Sequence, residues 1–506
     1  QQHPVAAEAN HRILEDLDGG VNSLALRLDV GGAGAVDGVV IGGVDDVATL
    51  LDGVYLDLVS VVLEAGPHFA AAADLLIEIW DRNGVSVDER RGNLGADPLG
   101  ALAAGGRLPG GLAPTLSDAA ELAVSTAAWP HVQAIHVDTA PYVDAGASEA
   151  EELAIMLAAG VEYLGALIDA GLAVDVAATQ LGFTLSADAD VFATIAKLRA
   201  ARRLWGHALA AAGAADAAGA PLATRTATRM MTVRDPWVNM LRTTAACFAA
   251  GAGGATTVTV QPFDASVGLP DDLGRRLARN TQLVLQEESH IGLVTDPAGG
   301  SFYIEELTDQ LSTRAWSRFQ EIQAAGGLSA VLLDGSLAGA LDTVRSTRMA
   351  NIAKRKDPLT GVSEFPNLAE APLERPVPEV ATLRAAAAAA WAGASLADTA
   401  DATIIEPLPV VGLASEFEAL REASDHHLAT TGARPSVFLA NLGAVAVHTA
   451  RATFAKNFFE SGGIEAIGSD GFAAADALVA AFAAAGGGLA VICSSDAVYA
   501  ERAATT

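Results

Sequence analysis

Between residues 20 and about 300 this chain alternates short β-rich runs with amphipathic helical stretches, and no other feature narrows its folds so far. The predicted strands are 24–29, 58–64, 85–90, 134–138, 182–186, 223–230, 256–263 and 291–296. Helices such as 149–170 and 190–212 separate most of them. Strands joined through helices pair in parallel, because a hairpin turn cannot return a parallel strand. Eight such units over about 280 residues match the size of a (β/α)8 barrel. A doubly wound open sheet fits less well, since no clear phosphate loop follows a strand. The turn Asp296-Pro297-Ala298-Gly299-Gly300-Ser301 lacks the lysine such a loop requires and reads as a tight barrel turn.

A chain of 506 residues exceeds one compact core. The expected organisation is a barrel over 1–310, a helical and extended linker over 311–433, and a second α/β domain over 434–506. Within the linker, 354–378 carries Pro358, Pro376 and Pro378 and should lie extended on a surface. The run 384–391, with six consecutive alanines, reads as a spacer helix. The last domain begins with a buried strand at 437–440, a loop opening at Gly443 and a helix through Phe459. A later strand at 489–494 precedes a helix that reaches the final residue, Thr506. Ligands of open α/β domains sit outside the carboxyl ends of the strands. The stretch Val445-Ala446-Val447-His448-Thr449-Ala450 should therefore carry the chemistry, yet it offers one histidine and no acid.

Several functions are excluded. The net charge of −30 argues against nucleic acid or an anionic membrane as partner. No membrane-spanning apolar run and no signal peptide are expected, although part of the N-terminus is expected to be missing. Cys247 and Cys493 read as free buried thiols of a cytoplasmic protein, too few for a cysteine metal site. Arg279 should link to Glu287 and Glu288 along a helix. His290 opens the last predicted strand without a second histidine nearby, and His426-His427 cannot face one ion. Two strands have polar faces: Thr224, Thr226 and Thr228 oppose Arg225 and Arg229, and Thr257, Thr259 and Gln261 line another. Barrel interiors are usually aliphatic. These groups either line a lumen that holds, or once held, a polar ligand, or they pair with neighbouring strands.

Three segments taken together resemble the barrel of the methylmalonyl-CoA mutase family. They are Asp235-Pro236-Trp237-Val238-Asn239-Met240-Leu241-Arg242-Thr243, the stretch from Leu269-Pro270 through Ala278-Arg279-Asn280-Thr281-Gln282 to Glu288-Ser289, and Asp296–Glu305. Lys197–Trp205 belongs to the same pattern, and Arg355–Asn367 looks like the small, β-type subunit of the heterodimeric enzymes. The resemblance spans essentially the whole chain. It implies a (β/α)8 TIM barrel followed by a linker and a C-terminal flavodoxin-like domain of the cobalamin-binding type. It also implies a complex that interconverts methylmalonyl-CoA and succinyl-CoA with adenosylcobalamin, which supplies the radical chemistry.

The family's cobalamin loop is Asp-x-His-x-x-Gly, in which His ligates cobalt and Asp orients that His. Aligned on Leu442-Gly443 and Gly462-Gly463, these positions hold Val445, Val447 and Ala450; His448 falls one place late. A slip that rescues it leaves Ala446 for Asp and Arg451 for Gly. In the barrel, the family's Tyr-His before Ala145-Gly146-Ala147 corresponds to Ala140 and Pro141, which offer no donor. The substrate-facing glutamine corresponds to Gly95, and the arginine for the substrate carboxylate falls near Gly105, with Arg107 close by. A glutamate after the seventh strand becomes Ser266. The expectation is a degenerate, non-catalytic small subunit with no catalytic, cofactor-binding or metal-ligating residue of its own. Adenosylcobalamin and the acyl-CoA substrate would sit on a homologous large subunit. Two readings stay open beside it: a self-sufficient mutase with a rearranged loop around His448, and a regulatory or docking protein on the mutase fold.

Overall fold

The computed structural model describes residues 3–502 apart from 215, 216, 218, 398 and 487. The chain divides into two compact units. The first comprises Gln1–Arg229, Met240–Ser346 and Arg375–Val411; the second comprises Met230–Asn239, Thr347–Glu374 and Gly412–Thr506.

The first unit is mixed α/β. In chain order its strands are β1 (Ser23–Val30), β2 (Val39–Ile41), β3 (Ser60–Glu64), β4 (Gly92–Ala96), β5 (Arg107–Leu108), β6 (Val132–Asp138), β7 (Leu181–Ala187), β8 (Leu222–Thr226), β9 (Thr257–Thr259) and β10 (Thr403–Ile404). Eight of them form one parallel sheet in the order β2-β1-β3-β4-β6-β7-β8-β9, while β5 and β10 make a separate antiparallel ribbon. All seven residues of β7 are buried, as expected of a parallel strand covered on both faces.

Side chains show how far the sheet curls. Arg225, on β8, hydrogen-bonds Glu64 at the end of β3. Those strands stand four places apart and would be about 19 Å apart in a flat sheet. The sheet therefore wraps around a polar interior, as in a TIM-like barrel. Among the described residues no pairing joins β9 to β2.

The helices Glu149–Asp169 and Val191–Ala211 pack with Phe302–Ala324 outside the sheet. Asp190 caps the second of these by accepting from the Ala193 amide (3.0 Å), satisfying one of the free first-turn donors.

Two expected strands move. Residues 85–90 lie outside any strand, and the strand begins at Gly92, whose own Cβ would stand 1.8 Å from the Val61 carbonyl oxygen. Glycines let β4 approach β3 at this distance, at the cost of the apolar alternation that advertises a strand. The segment 291–296 forms turns instead of an eighth strand, with His290 and Asp296 at positive φ (52° and 49°). Arg199 holds Asp296 (2.9 Å) and Glu305 (2.7 Å), which pins the glycine-rich turn between them. Arg279 pairs with Asp16 (2.8 Å) of the first helix, not with Glu287 or Glu288. The alanine run forms the helix Ala381–Ala390, which packs against the sheet edge: a Cβ on Gly42 would meet Ala387 Cα at 3.0 Å, and Arg384 binds buried Asp29 (2.6 Å). It is a packed element, and its alanines permit the close approach. Cys247 and Cys493 are free and buried.

The second unit contains β11 (Ser436–Asn441), β12 (Glu465–Ile467) and β13 (Ala490–Cys493), parallel in the order β12-β11-β13. Phe438, Ala440, Leu442 and Leu478 form its core on one side of the sheet, with Leu439, Ala455 and Cys493 on the other. The end of the expected last helix, 503–506, lies outside the described residues. No helix among the described residues is long and apolar enough to cross a membrane.

Candidate functional site

The carboxyl ends of the large sheet carry a cluster of charges that satisfy one another. Glu64 and Asp138, the last residues of β3 and β6, both receive Arg225, Asp138 at 3.3 Å. Arg27 flanks Glu64 at 3.6 Å, and His136 shares a hydrogen bond with Thr184 (2.8 Å). Arg229 binds Asp188 (2.9 Å) and the Ala147 carbonyl (2.6 Å). The polar strand faces pair likewise. The Gln261 amide donates to Thr226 Oγ1 (2.9 Å), and its side chain donates to Thr228 Oγ1 (3.1 Å). Thr224 and Thr226 thus pair with the neighbouring β9 side, whereas Arg225 reaches across the polar interior to acids of β3 and β6. The sequence marked Arg225 and Arg229 but not their acidic partners, which lie between about 40 and 160 residues away.

The positions assigned to substrate contacts fall on separate elements. Ala140 and Pro141 open a one-turn helix, Ala140–Asp144, and the Ala140 amide donates to Asp138 Oδ1 (3.0 Å). Proline suits this first turn because no helical partner awaits its missing N–H. Gly95 has φ +79° within bulged β4, and a Cβ there would stand 2.2 Å from the Leu63 carbonyl oxygen. Gly105 ends the helix Pro98–Gly105 and is exposed. Arg107 is exposed on the β5–β10 ribbon, outside the large sheet, and Ser266 lies half-buried in a turn.

Two acids near this cluster have displaced affinities for protons. Burial raises Asp97 to about 6 against the stabilising hydrogen bonds from Tyr163 (2.6 Å) and the Asp138 amide (3.0 Å). Burial, then the charge of Asp138, raises Asp144 to about 6. Glu64 moves the other way: burial pushes it up, but Arg225 and Arg27 outweigh that and hold it at about 2. The raised acids bind more protons folded than unfolded between about pH 4 and 6, so stability falls as pH rises through that window. Glu64 supplies stability that is complete above its ordinary 4.5 and is lost as pH falls toward 2. The thermal midpoint is therefore expected to peak near about pH 4 and to drop by about pH 7.5, with a gentler drop in Asp97→Asn.

In the second unit the loop is shorter than its sequence suggests. Gly443 turns at φ +85°, Ala444 is extended, and the helix Val445–Ser461 starts at once, because no glycine or proline interrupts the run. The six residues expected to form a loop are thus helical. Val445, Val447 and Ala450 face solvent, whereas His448 is buried at 5% exposure. Both its ring nitrogens lack a hydrogen-bond partner, and Nε2 lies 3.0 Å from where a Cβ on Gly471 would stand. Arg451, at the slipped glycine position, extends to Asp496 (2.7 Å). The residues present do not fit a corrin's cobalt: the aligned ligand position is an exposed valine, and the one imidazole of this helix is turned inward with no hydrogen-bonded acid to orient it. Because an unpaired buried polar group costs stability, His448→Leu should leave the unit unchanged or up to about 1 kcal/mol more stable. Chemical denaturation followed by circular dichroism measures this, and a clear loss would restore a polar role for the ring.

These sites belong to an α/β chain with a curled, TIM-like parallel sheet, whose strand-end charges pair with one another. A family profile described as methylmalonyl-CoA mutase matches residues 3–401. The methylmalonyl-CoA mutase small subunit of Streptomyces virginiae is 47% identical over 498 residues, covering 98% of this chain and 75% of that protein. The small subunit of Propionibacterium freudenreichii subsp. shermanii is 35% identical over 493 residues (97% and 71%). The methylmalonyl-CoA mutase of Escherichia coli (strain K12) is 33% identical over 340 residues, 67% of this chain and 47% of its own. The chain belongs to the methylmalonyl-CoA mutase family. Within it, the chain groups with the small subunits.

Proposed function

We propose that this chain is the non-catalytic small subunit of an adenosylcobalamin-dependent methylmalonyl-CoA mutase. It pairs with a homologous large subunit and stabilises that subunit's fold. The large subunit holds the cofactor and the acyl-CoA, and the complex isomerises methylmalonyl-CoA and succinyl-CoA in the cytoplasm.

The observation that carries this reading is the Arg225–Asp138–Ala140 arrangement. The segment that would present Tyr-His to a thioester instead runs Ala140-Pro141, its first amide tied to Asp138, which is itself tied to Arg225. Neither the Ala140 nor the Pro141 side chain can donate to a thioester carbonyl. The inward His448 supports the matching loss in the last domain. We read 1–310 as the barrel, 311–433 as the connection and 434–506 as a degenerate cobalamin-type domain. The strand order of the second unit, second-first-third, is that of a flavodoxin-like sheet as far as it goes.

The test is titration of the isolated chain with adenosylcobalamin, together with co-expression with a large mutase subunit. No corrinoid binding and a stoichiometric complex are expected. A cobalamin-loaded chain would sink the reading, and failure to co-purify would favour a regulatory protein outside the mutase complex.

A further inference from the structure

Arg225 leaves β8 with its guanidinium divided between two carboxylates, one four strands away on β3 and one two strands away on β6. One terminal nitrogen meets Glu64 of β3, and the other meets Asp138 of β6 at 3.3 Å. The three side chains are mostly covered, at 19%, 13% and 23% exposure. A guanidinium is the side chain best matched to a carboxylate, since its planar donors engage both oxygens. Here those donors are taken by the chain's own acids, at the strand ends where barrel ligands bind.

We propose that Glu64 and Asp138 form an internal substitute for a ligand carboxylate, so that Arg225 is a carboxylate site occupied by the chain itself. The ligand class kept out is a small dicarboxylate or an acyl thioester bearing a free carboxylate. The inference rests on the non-catalytic reading and deepens it: the lumen is closed by an internal ion pair as well as by missing donors. Shortening both acids to alanine removes the charge and the acceptors that hold the guanidinium and opens the space they fill.

The experiment uses the full chain, malonate as probe and sodium chloride to match ionic strength, read by calorimetry and thermal midpoint. The unaltered chain should not respond. Glu64→Ala/Asp138→Ala should bind malonate with a dissociation constant of about 1 mM, and adding Arg225→Met should abolish that binding. If the double variant does not fold, Glu64→Ala alone, which leaves Asp138 beside Arg225, should bind more weakly. Malonate binding by the unaltered chain that Arg225→Met removes overturns the proposal, as does a folded Glu64→Ala chain that takes no malonate. An unaltered chain that binds cobalamin but not malonate defeats the non-catalytic reading while supporting the internal pair, so the two failures are separable.

Discussion

Replacing Lys197 with methionine should cost about 3–5 kcal/mol, because it strands a buried carboxylate. Lys197 and Glu152 are each 1% exposed and form an ion pair between two helices. Glu152 Oε1 also accepts from Thr139 Oγ1 and from the Ser186 amide, both at 2.7 Å, and Lys197 donates to the Ser186 carbonyl at 2.6 Å. Every polar atom of the pair is used, so the geometry offsets the desolvation of two charges. Once the ammonium is gone, Glu152 must stay charged and unpaired or take up a proton. The double variant Lys197→Met/Glu152→Met should recover much of the loss, since removing both charges removes the mismatch. Urea denaturation of the three chains measures it. A single-variant loss below about 0.5 kcal/mol would show that water reaches the pair.

Gly95→Gln, which would return the family's glutamine, is expected to lose more than about 3 kcal/mol or to prevent folding. A left-handed φ of +79° strains any side chain, and the 2.2 Å approach to the Leu63 carbonyl oxygen is to backbone that cannot swing aside. Gly105→Gln is the control. Nothing lies within 4 Å of a Cβ at Gly105, so the effect should stay within about 1 kcal/mol. Thermal unfolding of both variants separates a local backbone constraint from a general intolerance of glutamine. Equal losses would remove the argument from Gly95.

Much of the architecture was legible in the chain. The predicted strands at 24–29, 134–138 and 182–186 sit inside β1, β6 and β7, and the helices at 149–170 and 190–212 exceed the observed ones by one residue at one end and at both ends, respectively. Long apolar periods survive into tertiary structure because burial rewards the same face that the period defines. The misplaced strands had the opposite character. The alternation at 85–90 was local, while Gly92–Ala96 is a strand only through its neighbours' backbones. Residues 291–296 carry apolar side chains, yet Leu293 is 77% exposed, because pairing, not propensity, makes a strand.

For the candidate site the division is sharper. The sequence alone determined which side-chain groups these positions offer: Val445, Val447 and Ala450 carry no ligating or orienting side chain, and Ala140-Pro141 carry no polar one, whatever the fold. It also determined the family, through segments spread along the chain. Only the tertiary structure decided what the remaining groups do. His448 could have pointed outward until the helix began at Val445 and turned it into the core. Arg225 could have awaited a ligand until the sheet curled and brought Glu64 and Asp138 to it. The physical reason is range: side-chain chemistry belongs to a residue, whereas burial and charge pairing depend on which distant strands the fold brings together.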